Sequence, residues 1–168
     1  MAEKLIPLED AQSIVLSHVA PTNLVEIPVW QAAGFPLAED AVADIDISPF
    51  DNSAMDGYAV RAADLAAATG DTPVTLSVVG HEAAGHVFEG ALGPGETVRI
   101  MTGAPVPEGA DAVVKYEIVE VLDGDGNEGS HVLFSAPAKV GENVRSAAEE
   151  AHAGDVVIHA GEVVAPAG

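Results

Sequence analysis

Behind Pro7, two acids, Glu9 and Asp10, lead into apolar side chains at Ala11, Ile14, Val15, Leu16 and Val19, a helical spacing that runs up to Pro21. The pattern predicts a helix over 8–20, with acids in its first turn and a proline as its stop. Val25 to Val29 alternates as a strand does, and 31–34 reads as a short helical turn ending at Gly34. A helical or irregular stretch over 36–42 then leads to Ile45.

From about Ser48 to Ala136 the pattern changes to short β-rich runs, at 57–60, 74–79, 97–101, 112–122 and 131–135, separated by Gly, Pro, Asp and Asn. Runs at this density, with only the alanine-rich 62–68 looking helical between them, predict a compact sandwich-like or barrel-like β domain. In the tail, 140–145 is extended and 149–153 turn-like. Two short runs, 155–159 and 162–164, flank Ala160-Gly161 and predict a hairpin. The fold class expected is therefore mainly β with minor α: an elongated α+β lobe built from both chain ends, 1–45 plus 150–168, with a β-rich domain, 46–149, inserted in it. The chain closes on Val163-Val164-Ala165-Pro166 and two small residues, with neither a capping helix nor a polar tail, and so reads as cut before a further domain.

Composition sharpens this picture in three places. Hydrophobic residues make up 48% and aromatics 4%, which predicts a core of many small aliphatic contacts rather than a few large rings. Twenty-seven acids stand against six bases, for a formal charge of −21. Nucleic-acid binding needs a clustered cationic stripe, so that class is set aside. Cysteine is absent, which removes disulfides, thiolate metal sites and cysteine nucleophiles together. With no apolar run of membrane-spanning length and no basic-then-apolar leader, the expectation is a soluble cytoplasmic protein without membrane partners.

Several motifs look chemical and read better as structure. Gly124-Asp125-Gly126-Asn127-Glu128-Gly129 satisfies G-x-G-x-x-G, but the residues after it are strand-like and offer no helix N-terminus to a pyrophosphate, so a hairpin turn is expected. Asp123, Asp125 and Asn127 start like a calcium loop, yet Glu128 stands at the glycine position and Phe134 at that of the bidentate glutamate. His81 and His86 are five apart with a glycine between, whereas a metal pair on one helix face needs four. No serine sits in a G-x-S-x-G elbow. No metal-ligand set is assigned.

The densest unusual run is Ser48-Pro49-Phe50-Asp51-Asn52-Ser53-Ala54-Met55-Asp56-Gly57-Tyr58-Ala59-Val60. Asp51, Asn52 and Ser53 can fold onto the backbone in turns. Asp56, between Met55 and Gly57 just before a buried strand, is placed where a carboxylate is held rigidly enough to ligate a cation or orient a substrate. A second run, Arg99-Ile100-Met101-Thr102-Gly103-Ala104-Pro105-Val106-Pro107-Glu108-Gly109-Ala110-Asp111-Ala112-Val113-Val114, reads as strand, Gly/Pro-rich loop exposing Thr102, and strand.

Both runs, together with Gly141-Glu142-Asn143-Val144-Arg145, Glu149-Glu150, Gly154 and Gly161, resemble the signatures of the MoeA/gephyrin family, the molybdopterin molybdenumtransferases, in order and spacing over nearly the whole chain. The resemblance implies the two N-terminal domains of a larger protein, without its pterin-binding domain and small barrel. It implies insertion of molybdate into adenylylated molybdopterin with release of AMP, a magnesium ion assisting, in a homodimer whose pterin substrate is held by the domain lacking here. It further implies that Asp56, Thr102 and Glu150 are catalytic and that Asn52, Ser53, Glu117 and Arg145 contact substrate. One departure stands out. Where the family steps through arginines into Gly-Glu-Asp, this chain has Ser146-Ala147-Ala148-Glu149-Glu150. Glu150 reaches one methylene further than aspartate, so a cation site there either survives with altered geometry or is lost. The fragment is expected to be inactive alone. The rival reading is a non-catalytic scaffold module of the same fold.

Overall fold

A computed structural model describes residues 5–83 and 85–166. The chain divides into two compact units, Met1–Ala41 with Ile158–Gly168, and Val42–Val157.

In the first unit Pro7 caps helix α1 (Leu8–Leu16), and Glu9 and Asp10 lie in its first turn, where negative charge complements the helix dipole. The helix ends four residues short of the expected 20. The reason is local: Ser17 Oγ donates to the Ile14 carbonyl at 2.7 Å and His18 Nδ1 reaches the same oxygen at 2.7 Å, occupying the acceptor that a further turn would use. The alternating segment 25–29 forms no strand. Its Pro28 has no N–H to give a ladder, and it caps a 3₁₀ turn, Val29–Gln31, instead. Gly34 and Leu37 donate to the carbonyls of Val164 and Glu162, both at 2.9 Å. No described residue of this unit is buried.

The second unit holds the sheet. Its strands follow β1 (Ala41–Val42) in order: β2 (Asn52–Ser53), β3 (Gly57–Val60), β4 (Val74–Glu82), β5 (Glu96–Ile100), β6 (Ala112–Lys115), β7 (Glu120–Val121), β8 (His131–Phe134), β9 (Val144–Arg145) and β10 (Val156–Ile158). Six of them form one sheet in the order β6-β3-β5-β4-β8-β7, while β1 pairs with β10 and β2 with β9. Only β4 and β5 run parallel in the six-stranded sheet. The expected hairpin over 155–164 does not form: β10 joins β1, and Val163 bridges Pro36. The single run expected over 112–122 is broken into β6, a 3₁₀ turn Tyr116–Ile118 and β7.

That break dictates the shape of the sheet. β6 and β7 are its two edges, and in a flat sheet they would lie five strand spacings apart, about 24 Å. The chain from Lys115 to Glu120 spans at most about 18 Å fully extended. The sheet must curl, and its concave side is filled by Tyr58, Val60, Leu76, Val78, Val132 and Phe134, with Leu65 of the 3₁₀ turn Ala62–Leu65 packed among them. A bulge between Val78 and Gly80 lets β4 run on to Glu82. The opposite face packs a second cluster of Ala59, Leu92, Val98, Ile100, Ala104 and Val113. Small aliphatics dominate both clusters, as the composition predicts, but the two largest fully buried side chains are rings, Tyr58 and Phe134.

Two glycines are fixed by their surroundings. A Cβ on Gly57 would collide with the Val114 carbonyl oxygen and lie 2.9 Å from its carbon. Gly126 has φ +80°, and a Cβ there would meet the Tyr58 hydroxyl at 2.6 Å. The G-x-G-x-x-G run is thus the β7–β8 turn, as its strand-like surroundings imply, and Tyr58 Oη donates to the Gly126 carbonyl at 2.9 Å.

Candidate functional site

Asp56 closes the loop before β3, and Thr102 opens the loop after β5, the neighbouring strand. Gly57 pairs with Ile100, so the sheet register sets the two side chains against each other. Asp56 Oδ1 accepts the Thr102 backbone N–H at 2.8 Å and its hydroxyl at 2.7 Å. These two donors, the N–H foremost, hold the Asp56 carboxyl below the ordinary carboxylate range, with the Arg99 guanidinium adding a smaller pull. Oδ2 has no protein donor among the described residues. The result is an exposed carboxylate, ionised at neutral pH, with one oxygen locked by two donors and the other without a donor among the described residues.

Asn52 and Ser53 brace the Thr102 loop rather than meeting solvent. Ser53 exchanges backbone hydrogen bonds with Gly103 at 2.8 Å and Ala104 at 3.0 Å, and its hydroxyl donates to the Met55 carbonyl. Asn52 bridges Pro105 and pairs with Arg145 across β2 and β9. Both are buried, whereas Arg145 is exposed. Glu117 lies in the 3₁₀ turn whose first residue, Tyr116, donates its N–H to the Asp56 carbonyl at 3.1 Å. Glu150 is placed by its own N–H on the Ile47 carbonyl at 3.0 Å. Among the described residues no hydrogen bond ties the Glu150 side chain to Asp56 or Thr102. The structure therefore joins Asp56 and Thr102 directly, ties only Tyr116, the neighbour of Glu117, to the Asp56 backbone, and uses Asn52 and Ser53 as supports.

The acids of the glycine-rich turn are occupied locally: Asp125 takes the Asn127 backbone N–H at 3.0 Å and side-chain amide at 2.8 Å, and Asp123 takes the His131 N–H at 2.6 Å. His81 and His86 stack ring on ring at 4.1 Å. No group of three or more His, Cys, Asp or Glu among the described residues is placed to hold a metal ion. No helix of the described residues is long and apolar enough to cross a membrane.

Sequence reasoning missed two residues. Arg99 lies over the Tyr116 ring with its guanidinium carbon 4.7 Å from the centroid; the available signal was a cation inside an otherwise apolar strand run. Glu82 is buried, with Oε1 accepting the Phe88 N–H at 2.8 Å and Oε2 without a partner among the described residues. It follows a histidine and reads from sequence as part of an exposed loop.

The profile of the MoeA N-terminal region (domain I and II) matches residues 6–168. The chain belongs to this family. Among its MoeA-family relatives, molybdopterin molybdenumtransferase 2 of Mycobacterium tuberculosis strain H37Rv is 40% identical over 160 residues, covering 95% of this chain and 38% of the relative. The molybdopterin molybdenumtransferase of Bacillus subtilis strain 168 is 43% identical over 130 residues, covering 77% of this chain and 30% of that protein. The crystal structure of the MoeA molybdopterin biosynthesis protein from Pyrococcus horikoshii OT3 superposes with a TM-score of 0.87 at 32% identity, over 98% of this chain and 42% of that one. The chain thus spans well under half the length of the MoeA relatives that it matches.

Proposed function

We propose that this chain forms the N-terminal part of a molybdopterin molybdenumtransferase, acting in molybdenum cofactor biosynthesis by helping to insert molybdate into adenylylated molybdopterin with release of AMP. The observation that carries the reading is the Asp56–Thr102 pair. Two strongly matching segments, far apart in sequence, meet in one exposed carboxylate–hydroxyl couple whose geometry the sheet register fixes. A carboxylate locked through one oxygen is oriented before any substrate arrives, so no ordering cost falls on the binding step.

In this reading Asp56 directs its outward oxygen at the substrate, and Glu117 adds a second carboxylate nearby. Thr102 holds Asp56 ionised and aligned. Asn52 and Ser53 act by fixing the Thr102 loop, Arg145 supplies charge across from Asn52, and Glu150 forms a separate acidic edge. The family resemblance implies magnesium; Asp56 and Glu117 are the residues that would hold it, since Mg²⁺ takes one or two carboxylates and completes its shell with water and substrate phosphate, and it would neutralise phosphate charge when bound.

A homodimer belongs to the same proposal. In the first unit Leu5 is 93% exposed and Trp30 79% exposed, with Leu8, Val15, Leu16 and Leu24 also open to solvent, an apolar surface suited to a second copy. The same surface also favours the scaffold reading, in which a partner peptide binds there and Asp56 is idle.

The deciding experiment joins this chain to the pterin-binding and barrel domains of a relative and measures AMP release from adenylylated molybdopterin with molybdate and magnesium. Activity that Asp56→Ala abolishes supports the transferase. A folded but inert fusion, or one indifferent to Asp56→Ala, favours the scaffold.

A further inference from the structure

Arg99 stands in the middle of β5 with Tyr58 and His81 as its register neighbours on β3 and β4. Its guanidinium is stacked on Tyr116, and that ring is itself stacked on Tyr58 with centroids 6.1 Å apart and planes inclined by 24°. On its far side, a Cβ at Gly126 would come within 3.0 Å of Arg99 Nη1. Aromatic faces and turn backbone therefore hold the group in place.

What it lacks is a counter-ion. All ion pairs among the described residues are between histidine and aspartate, and none involves Arg99, although the chain carries 27 acids against six bases. The acids that feel its charge, Asp56 and Asp125, have turned to other donors: Asp56 to Thr102 and Asp125 to Asn127. Its polar neighbour is the Tyr58 hydroxyl. A guanidinium offers five N–H donors in a planar fork, so most of the fork is left for a ligand.

We propose that Arg99, stacked on Tyr116 beside the Asp56–Thr102 pair, is an oxyanion-binding residue that grips a tetrahedral anion of the phosphate or molybdate type through the open edge of its guanidinium. The planar fork matches two oxygens of such an anion, and stacking sets its orientation in advance. Arg99 is half-buried and Tyr116 beneath it is 41% exposed, so the stacked pair is not sealed from solvent. That the anion is a reacting group of the transferase rests on the function proposed above; that Arg99 binds one does not.

The test is an NMR titration of the whole 168-residue chain, following the side-chain Nε–Hε signals of Arg61, Arg99 and Arg145. Sodium phosphate is added in one series and sodium molybdate in another, with chloride holding ionic strength constant. The expected result is a saturating shift at Arg99 and none at the other two. Tyr116→Leu, which removes the stack, weakens anion binding at the Arg99 signal by about tenfold, and Arg99→Lys, which keeps the charge but loses the fork and is followed through the Tyr58 ring signals instead, weakens it by a similar factor. Asp56→Asn strengthens it by removing a nearby negative charge. Saturation by phosphate alone assigns the subsite to the adenylate, and saturation by molybdate assigns it to the metal oxyanion. The proposal is overturned if neither anion saturates Arg99, if Arg61 and Arg145 shift equally, or if Tyr116→Leu leaves the affinity unchanged. An active fusion with a silent Arg99 refutes only this inference, and a saturating Arg99 in an inert fusion refutes only the transferase reading.

Discussion

Replacing Gly57 with alanine adds a single methyl group, and the structure leaves no place for it. The new Cβ would run into the Val114 carbonyl oxygen, lying 2.9 Å from the carbonyl carbon and 3.1 Å from the Lys115 Cα. All of these are backbone atoms of β6, so no side chain can swing aside. Relief requires β3 and β6 to part where Gly57 faces Lys115, in a ladder whose four residues on β3 are all buried. Overpacking of this kind costs about 1–3 kcal/mol when side chains can adjust, and the upper end applies because only backbone can. For the roughly 116-residue second unit, about 3 kcal/mol lowers the melting temperature by something over 10 °C. The strain falls next to Asp56, so the Asp56–Thr102 couple loosens as well. Thermal melting by circular dichroism measures the first effect, and loss of hydrogen-exchange protection at the Thr102 amide measures the second. A Gly57→Ala chain that melts within about 2 °C of the parent, with the Thr102 amide still protected, would refute the packing argument.

Other features carry outcomes of their own. Ala148 sits at φ +57°, where a side chain costs about 1–2 kcal/mol. Ala148→Gly loses part of that gain to unfolded-chain entropy and should stabilise the protein by up to about 1 kcal/mol in urea denaturation; a destabilised variant would contradict the strain. Asp56 has its folded pKa depressed by Thr102, so its contribution is present above the unfolded value of about 3.9 and disappears as pH falls through the lower folded value. Asp56→Asn should therefore flatten the acid limb of the stability profile below about pH 4, and an unchanged acid limb would show that the carboxylate is not held. A formal charge of −21 implies self-repulsion that salt screens. Raising NaCl from about 0.1 M to about 1 M, which shortens the Debye length from ~10 Å to ~3 Å, should raise the melting temperature, and a flat or falling response would show that repulsion is not limiting.

Elements governed by their own residues were legible in the sequence. The run at 57–60 became β3 without adjustment because Gly57 and three consecutive apolar side chains leave a buried strand no alternative. Glycines at 124, 126 and 129 gave away the β7–β8 turn, since each adopts positive φ. Legibility ended where a distant partner decides. The 112–122 run breaks because the Tyr116 N–H is drawn to the Asp56 carbonyl, sixty residues away. The tail folds against β1 and Pro36 instead of on itself. Of the candidate site, the two motifs mark Asp56 and Thr102, whose side chains the sheet register brings together, while the stack of Arg99 on Tyr116 is illegible in sequence because it arises only when the sheet curls.

The curl has a consequence for the company this protein can keep. Exposed sheet edges invite foreign strands, and short or covered edges deter them. Here β7 offers two residues, and β6 is sheathed by the loop beyond β8: Val113 donates to the Glu142 carbonyl at 2.9 Å and Asn143 Nδ2 caps the Val113 carbonyl at 2.8 Å. The two margins are thus guarded separately, one by brevity and one by a covering loop. With both edges of the six-stranded sheet withheld, its backbone offers little for a foreign strand to zipper onto.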